Sequence, residues 1–254
     1  MISNPRIIAR IDIKGNRVIK GIKFEGQKVY GDVNEFAKKY YQDGADEIIF
    51  IDTVASLYGR NKLLDIVKQT SGNVFVPMTV GGGIRSIKDV EELLLAGADK
   101  IAINTAALKD SKLISEVAKN FGSQCMVISI EAKKRDTNSW EALAESGREK
   151  TDIDVLEWAK KVEDMGAGEI LLTSIDKEGT MKGFDIQLTS KVSSSVSIPV
   201  IASGGYGEIS HLIEVVNNGN ADAIAIAGAL HYKKDNLKNI RNDALSNNIN
   251  LRKI

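Results

Sequence analysis

Cysteine is almost missing. Cys125 stands alone among 254 residues, so no internal disulfide can staple the chain, a usage that suits a reducing compartment. It sits in the apolar run Cys125-Met126-Val127-Ile128, the setting of a packed core thiol rather than a nucleophile. Histidine is nearly as scarce. His211 and His231 have no cysteine or carboxylate partner at ligand spacing, which argues against a zinc site or a histidine-based triad. No metal and no cofactor is therefore expected. There are only three prolines, and no Pro/Ser-rich linker or low-complexity segment divides the chain. An excess of one charge is lacking too: 34 basic residues balance 34 acidic ones, leaving no general field for nucleic acid or anionic lipid. No stretch approaches the ~18 apolar residues of a membrane span, and Met1-Ile2-Ser3-Asn4-Pro5-Arg6 carries no apolar leader core. The expectation is a cytoplasmic protein with neither nucleic-acid nor membrane partners.

What is present is an ordinary globular composition, 43% hydrophobic and 27% charged, and an internal repeat. Segments recur roughly 120 residues on, the mark of a duplicated structural unit. Arg10-Ile11-Asp12-Ile13-Lys14 answers to Ser129-Ile130-Glu131-Ala132-Lys133, and Asp46-Glu47-Ile48-Ile49 to Gly168-Glu169-Ile170-Leu171. Pro77-Met78-Thr79-Val80-Gly81-Gly82-Gly83 answers to Pro199-Val200-Ile201-Ala202-Ser203-Gly204-Gly205, and Gly97-Ala98-Asp99-Lys100-Ile101 to Asn220-Ala221-Asp222-Ala223-Ile224. Near-continuous apolar runs at 6–11, 47–52, 75–80, 100–104, 125–131, 169–174, 198–203 and 223–227 read as parallel strands covered on both faces. Amphipathic stretches lie between them, with Asp32 and Ser86 as N-caps and Gly44, Gly97 and Gly166 as C-terminal stops. Eight β-then-α units imply an α/β protein of the (β/α)8 (TIM) barrel type, one domain over 1–254 built from half-barrels of about 1–122 and 123–254. An open doubly wound sheet is the rival, but its strand order has no reason to repeat by halves.

Chemistry in such a barrel belongs at the C-terminal strand ends. Asp12 and Glu131 fall there on the first and fifth barrel strands, facing each other as a candidate acid and base. The bland alternative is that they cap strands or pair with Lys14 and Lys133. Gly82 and Gly83 follow the third strand, and Ser203, Gly204 and Gly205 the seventh. Asn104-Thr105 and Ala227-Gly228 each open a short helical stretch after the fourth and eighth. Glycine lets backbone N–H groups approach an anion, so two phosphate pockets and a substrate with a phosphate at each end are expected. Arg6, Glu47, Lys100 and Glu169 fall at the opposite strand ends, where a ring of ion pairs would be either a brace or a gate. Lys20 lies in a long glycine-bearing loop between Gly15 and Asp32 that could close as a lid.

The blocks Ile7-Ile8-Ala9-Arg10-Ile11-Asp12, Thr79-Val80-Gly81-Gly82-Gly83-Ile84, Ile103-Asn104-Thr105-Ala106-Ala107, Phe121-Gly122-Ser123-Gln124 and Gly166-Ala167-Gly168-Glu169-Ile170-Leu171-Leu172-Thr173-Ser174-Ile175-Asp176 resemble the cyclase subunit (HisF type) of imidazole glycerol phosphate synthase. The resemblance spans essentially the whole chain. It implies a barrel of two half-barrels that combines ammonia with a bisphosphorylated formimino-aminoimidazole carboxamide ribotide. The products are imidazole glycerol phosphate and aminoimidazole carboxamide ribotide. It also implies a glutaminase subunit (HisH type) docked at the N-terminal face, with ammonia passing through the barrel. Carried over by position, the first catalytic aspartate is Asp12, the mobile-loop lysine is Lys20, and the gate is Arg6, Glu47, Lys100 and Glu169. Phosphate contacts fall on Gly82, Asn104, Thr105, Gly179, Gly204, Gly205, Ala227 and Gly228. The second catalytic aspartate is replaced by Glu131, Glu178 stands where aspartate is usual, and Gly228 where serine is common. The segment 54–61 also departs from the ordinary form. These departures support a runner-up, a paralogous subunit delivering ammonia in amidino-sugar synthesis for surface polysaccharides. A bisphosphate sugar isomerase of the same fold would need no ammonia route, and a non-catalytic scaffold would need neither acids nor pockets.

Overall fold

The computed structural model describes residues 4–55 and 63–252; of the divergent segment 54–61, residues 56–61 lie outside the described residues. Among the described residues eleven strands form, β1 (Arg6–Lys14), β2 (Arg17–Ile22), β3 (Glu25–Asp32), β4 (Glu47–Asp52), β5 (Met78–Gly81), β6 (Lys100–Ile103), β7 (Met126–Lys134), β8 (Trp140–Leu143), β9 (Glu169–Ser174), β10 (Val200–Ser203) and β11 (Ala223–Ile226). Eight of them run parallel in the order β1-β4-β5-β6-β7-β9-β10-β11, and β11 pairs back onto β1, so the sheet closes into a barrel. The eight expected strands match in place, with ends shifted by up to three residues. β2 and β3 form an antiparallel ribbon on β1, and β8 pairs antiparallel with β7. Both β1 and β7 are nine residues long, because each continues past the barrel rim into its ribbon.

Helices cover the outside for reasons visible in their sequences. In α6 (Val155–Asp164) the buried set is Val155, Trp158, Ala159 and Val162, one helical face, and the Asp154 side chain accepts from the N–H groups of Leu156 and Glu157. The expected caps at Asp32 and Ser86 are present, on α1 (Val33–Gln42) and α3 (Ile87–Leu95); α2 (Leu63–Ser71) lies between them. Gly44, Gly97 and Gly166 all take positive φ just past helix ends. The remaining α-helices among the described residues include α4 (Thr105–Lys109), α5 (Lys112–Phe121), α7 (Ile186–Ser193), α8 (Ile209–Asn217), α9 (Gly228–His231) and α10 (Leu237–Ser246).

Alternation along the strands sorts the core into two layers. Ile7, Ala9 and Ile11 face the helices, whereas Ile8 joins Ile49, Val127, Leu171, Ile201 and Ala223 inside the barrel. The bottom rim is pinned by repeated aspartates. Asp46, Asp99 and Asp222 each accept the N–H of a neighbouring strand, from Ile7 (2.8 Å), Met78 (2.8 Å) and Val200 (2.9 Å). Cys125 is a buried free thiol in a short turn before β7.

Candidate active site

Asp12 and Glu131 project from β1 and β7, which stand four strands apart in either direction round the barrel and hence on opposite walls. Both are buried. Neither pairs with the lysine two residues on. Asp12 Oδ1 accepts from Arg10 Nε at 2.9 Å and its Oδ2 from Lys20 Nζ at 2.6 Å, while Lys133 turns away to Asp176. Burial alone would raise the Asp12 pKa, but the two cations outweigh it and hold the group ionised well below the usual carboxylate range. Glu131 goes the other way. Burial pushes it up to about 7; Arg10, the Gly147 N–H and Asn104 pull it down and Asp12 pushes it up, without overturning the burial effect. Its Oε2 has no partner among the described residues. Two carboxyls thus sit in one barrel mouth, one held ionised and the other able to keep its proton up to about pH 7, the division of labour that acid/base catalysis requires.

The glycine turns frame two cavities. The first, about 330 Å³, is lined by Gly82, Gly83, Asn104 and Thr105 and reaches Glu131. Four acids, Asp52, Asp110, Glu131 and Glu145, share it with Arg85 and Lys109, so it is not the purely cationic cradle that a phosphate pocket suggests. Lys109 and Glu145 pair at 3.1 Å. The second cavity is bounded by Gly179, Ser203, Gly204, Gly205, Ala227 and Gly228. At about 20 Å³ it has room for roughly one water. Its wall is Glu178, whose Oε2 lies 3.1 Å from where a Cβ on Gly204 would stand. A third, larger cavity of about 1110 Å³ spreads between the ribbon and the loops after β8 and β9, with Lys23, Lys28, Lys133, Arg148 and Lys150 on its walls.

The segment 15–32 is an ordered ribbon rather than a loop. Lys20, on β2, is buried and bridges Asp12 to Glu178. Burial lowers its pKa, and Asp12 acts against that shift. The ribbon is latched at two points. Lys23 N–H donates to the Glu178 carbonyl at 2.9 Å, and Phe24 packs against Leu143 and Ile175. Gly179, at φ +69°, has the Gly21 carbonyl where a Cβ would stand, so it permits this close approach.

At the other end of the barrel the four expected charges form a closed ring. Arg6 pairs with both Glu47 and Glu169, and Lys100 bridges the same two acids at 3.1 and 2.8 Å. The apolar layer of Ile8, Ile49, Leu171 and Ile201 follows on the inside.

A family model described as histidine biosynthesis protein matches residues 6–236. The chain belongs to that family. Its relatives include the imidazole glycerol phosphate synthase subunit HisF of Legionella pneumophila, 62% identical over 207 residues, which cover 82% of this chain and 98% of the relative. The subunit of the same name from Bacillus cereus (strain G9842) is 47% identical over 247 residues, 97% of this chain and 98% of that one.

Within this family member, sequence reasoning passed over three side chains that the structure brings to the mouth: Arg10, Asp52 and Glu145. Asp52 ends β4, with its carboxylate on the N–H groups of Val54 and Ala55 at 3.0 Å. Glu145 follows β8, a short strand that no long apolar run announces. Arg10 carried a signal: it shares the inward parity of Asp12 in a strand otherwise apolar from Ile7 to Ile11, and its repeat partner is the small Ser129.

Proposed function

We propose that the chain is the cyclase subunit of an imidazole glycerol phosphate synthase, acting in histidine biosynthesis. The observation that carries this reading is the opposed pair of buried carboxyls, Asp12 ionised and Glu131 protonated up to about 7, in a mouth walled by glycine turns. The family and the names of the relatives support it. Condensing ammonia with the ribulosyl ketone takes a proton off nitrogen and puts one on the departing oxygen. Closing the imidazole ring on the formimino carbon takes a proton off the attacking nitrogen and puts one on the nitrogen through which the carboxamide ribotide leaves. Asp12 is suited to accept and Glu131 to donate. The basic walls of the third cavity suit a doubly phosphorylated substrate, one end at Gly82, Asn104 and Thr105, the other at Gly204, Gly205 and Gly228 once Glu178 withdraws. A glutaminase partner at the bottom face would deliver ammonia through the ring of Arg6, Glu47, Lys100 and Glu169. Phe75, 73% exposed, lines a surface cavity together with Arg6 and offers apolar surface beside that opening.

The acid-rich lining of the first cavity favours a second reading. Carboxylates suit the hydroxyls of a sugar better than a phosphate, as an ammonia-dependent subunit of amidino-sugar synthesis would require. One assay separates the two: the purified chain with the bisphosphate ribotide and ammonium salt, without a partner. Imidazole glycerol phosphate should form, and Asp12→Asn should stop turnover while leaving substrate binding intact. No turnover at saturating ammonium would hand the function to the second reading.

A further inference from the structure

Among the described residues, Arg10 is the most buried charged side chain that the reaction as described leaves unused. It rises from β1, yet its Nη1 donates to Thr173 on β9 at 2.8 Å and to Ser203 on β10 at 3.0 Å. β9 lies three strands away round the barrel, so the side chain crosses the lumen. The repeat leaves room for it: the equivalent position on the opposite wall is Ser129, and neighbouring inward positions are as small as Thr79, Ala102 and Ala225. Arg10 is 2% exposed, and a guanidinium so buried is tolerable only with its donors met.

We propose that Arg10 is a positioning residue, a fixed guanidinium bridge that keeps Asp12 a carboxylate when the ribbon lifts and leaves Glu131 the one proton donor of the pair. The inference rests on the cyclase reading for its kinetic consequence. Asp12 has two cationic partners, and they differ in origin. Lys20 belongs to the ribbon and must leave Glu178 before the second cavity can admit an anion. Arg10 belongs to the barrel wall and is tied to the far half by two hydroxyls, so it stays. It also faces Glu131, drawing that carboxyl down against the effect of burial. The other charges around the pair are few. Asp12 is faced by Arg10 and Lys20, with His231 and Tyr232 beyond at α9. Glu131 is faced by Arg10 and Asp12 across the lumen, and by Asp52, Glu145, Lys109, Asp110 and Arg85 around its cavity.

Removing a cation from between two carboxyls raises both of their pKa values. With Asp12 as base, the acid limb of the pH–rate profile moves up; with Glu131 as acid, the alkaline limb moves up too. In Arg10→Gln and Arg10→Met, ammonium-driven kcat/KM should therefore show the alkaline limb, set by Glu131, displaced upward by about one pH unit, while the acid limb of Asp12 stays below the assayed range. Arg10→Lys, which keeps the charge, should leave the limbs near their wild-type positions while losing rate. A merely space-filling arginine gives a different result: lower melting temperature and lower rate in all three variants, with the alkaline limb unmoved, and that overturns the proposal. A carboxyl-carbon NMR titration of Glu131 in wild-type and Arg10→Gln chains gives the same answer without turnover. If the wild type is inactive at every pH, the cyclase reading fails, yet an upward-shifted Glu131 titration in Arg10→Gln still upholds the bridge. An unshifted titration sinks the bridge whatever the activity.

Discussion

Glutamate reaches one methylene further than aspartate, and at position 131 that reach is used. The carboxyl meets the Gly147 N–H, supplied by a loop in which Glu145, Ser146 and Gly147 take positive φ in succession (51°, 57° and 77°). Shortening the side chain withdraws it by about 1.5 Å, one carbon–carbon bond, and misplacement of about 1 Å can cost a hundredfold in rate. Aspartate, however, is the usual residue in the cyclases that the sequence resembles. Glu131→Asp is therefore expected to keep kcat/KM within about tenfold of wild type or to raise it, roughly 1.4 kcal/mol being the dividing line. A larger loss, measured with the bisphosphate and ammonium, would mean that the mouth is built around glutamate and its substrate is the other one. In the wild type the proton-donating form of Glu131 is present below its pKa of about 7 and disappears as pH rises through it, so activity should fall on the alkaline side from there.

Among the elements, the ribbon of β2 and β3 is the one placed to govern access in the proposed cyclase. Its Lys20 holds Glu178 across the second cavity, and its tip sits on Leu143 and Ile175. Because a Cβ at Gly179 would strike the Gly21 carbonyl, Gly179→Ala should stop the ribbon from seating while the barrel folds as before. Trypsin should then cut after Lys20 or Lys23 far faster than in the wild type, with the melting temperature little changed and KM raised. Equal cleavage rates would show that Gly179 serves the cavity alone. The ribbon also marks the limit of what the sequence discloses. Barrel strands announce themselves because both faces are buried and the residues are nearly all apolar, as in Glu47-Ile48-Ile49-Phe50-Ile51. Glu25–Asp32 is half exposed with no residue fully buried, and its pairing slips register twice, so neither hydrophobicity nor clean alternation survives to be read. β8 is hidden for another reason: it is buried throughout, but only four residues long and interrupted by Glu141. The acids, glycines and bottom charges were legible because the repeat doubles them or strand ends place them. Arg10 was not, since its meaning depends on where a long side chain lands three strands away.

At the scale of the whole molecule, the barrel is closed at the bottom by charge and above that by hydrocarbon. Each cation of the ring touches both glutamates, so no single ion pair can open without loosening its neighbours. The apolar layer above would pass neutral ammonia and stop ammonium, whose charge is costly to desolvate. Ammonia entering from a docked glutaminase would have to displace one member of the ring, and Lys100 is held by two ordinary-length bonds on a flexible stem. Free ammonium salt instead supplies the site from the open mouth. Lys100→Ala should therefore change glutamine-dependent turnover, measured in the reconstituted complex, several times more than ammonium-dependent turnover. A brace predicts otherwise: truncating Lys100 leaves Glu47 and Glu169 sharing only Arg6, both buried, at a cost of about 3–5 kcal/mol for a broken buried pair, less here because Lys100 is partly exposed. Both activities would then fall together along with the melting temperature. The ratio of the two rates, set beside the thermal midpoint, decides between them, and an unchanged ratio with a lowered midpoint makes the ring a brace.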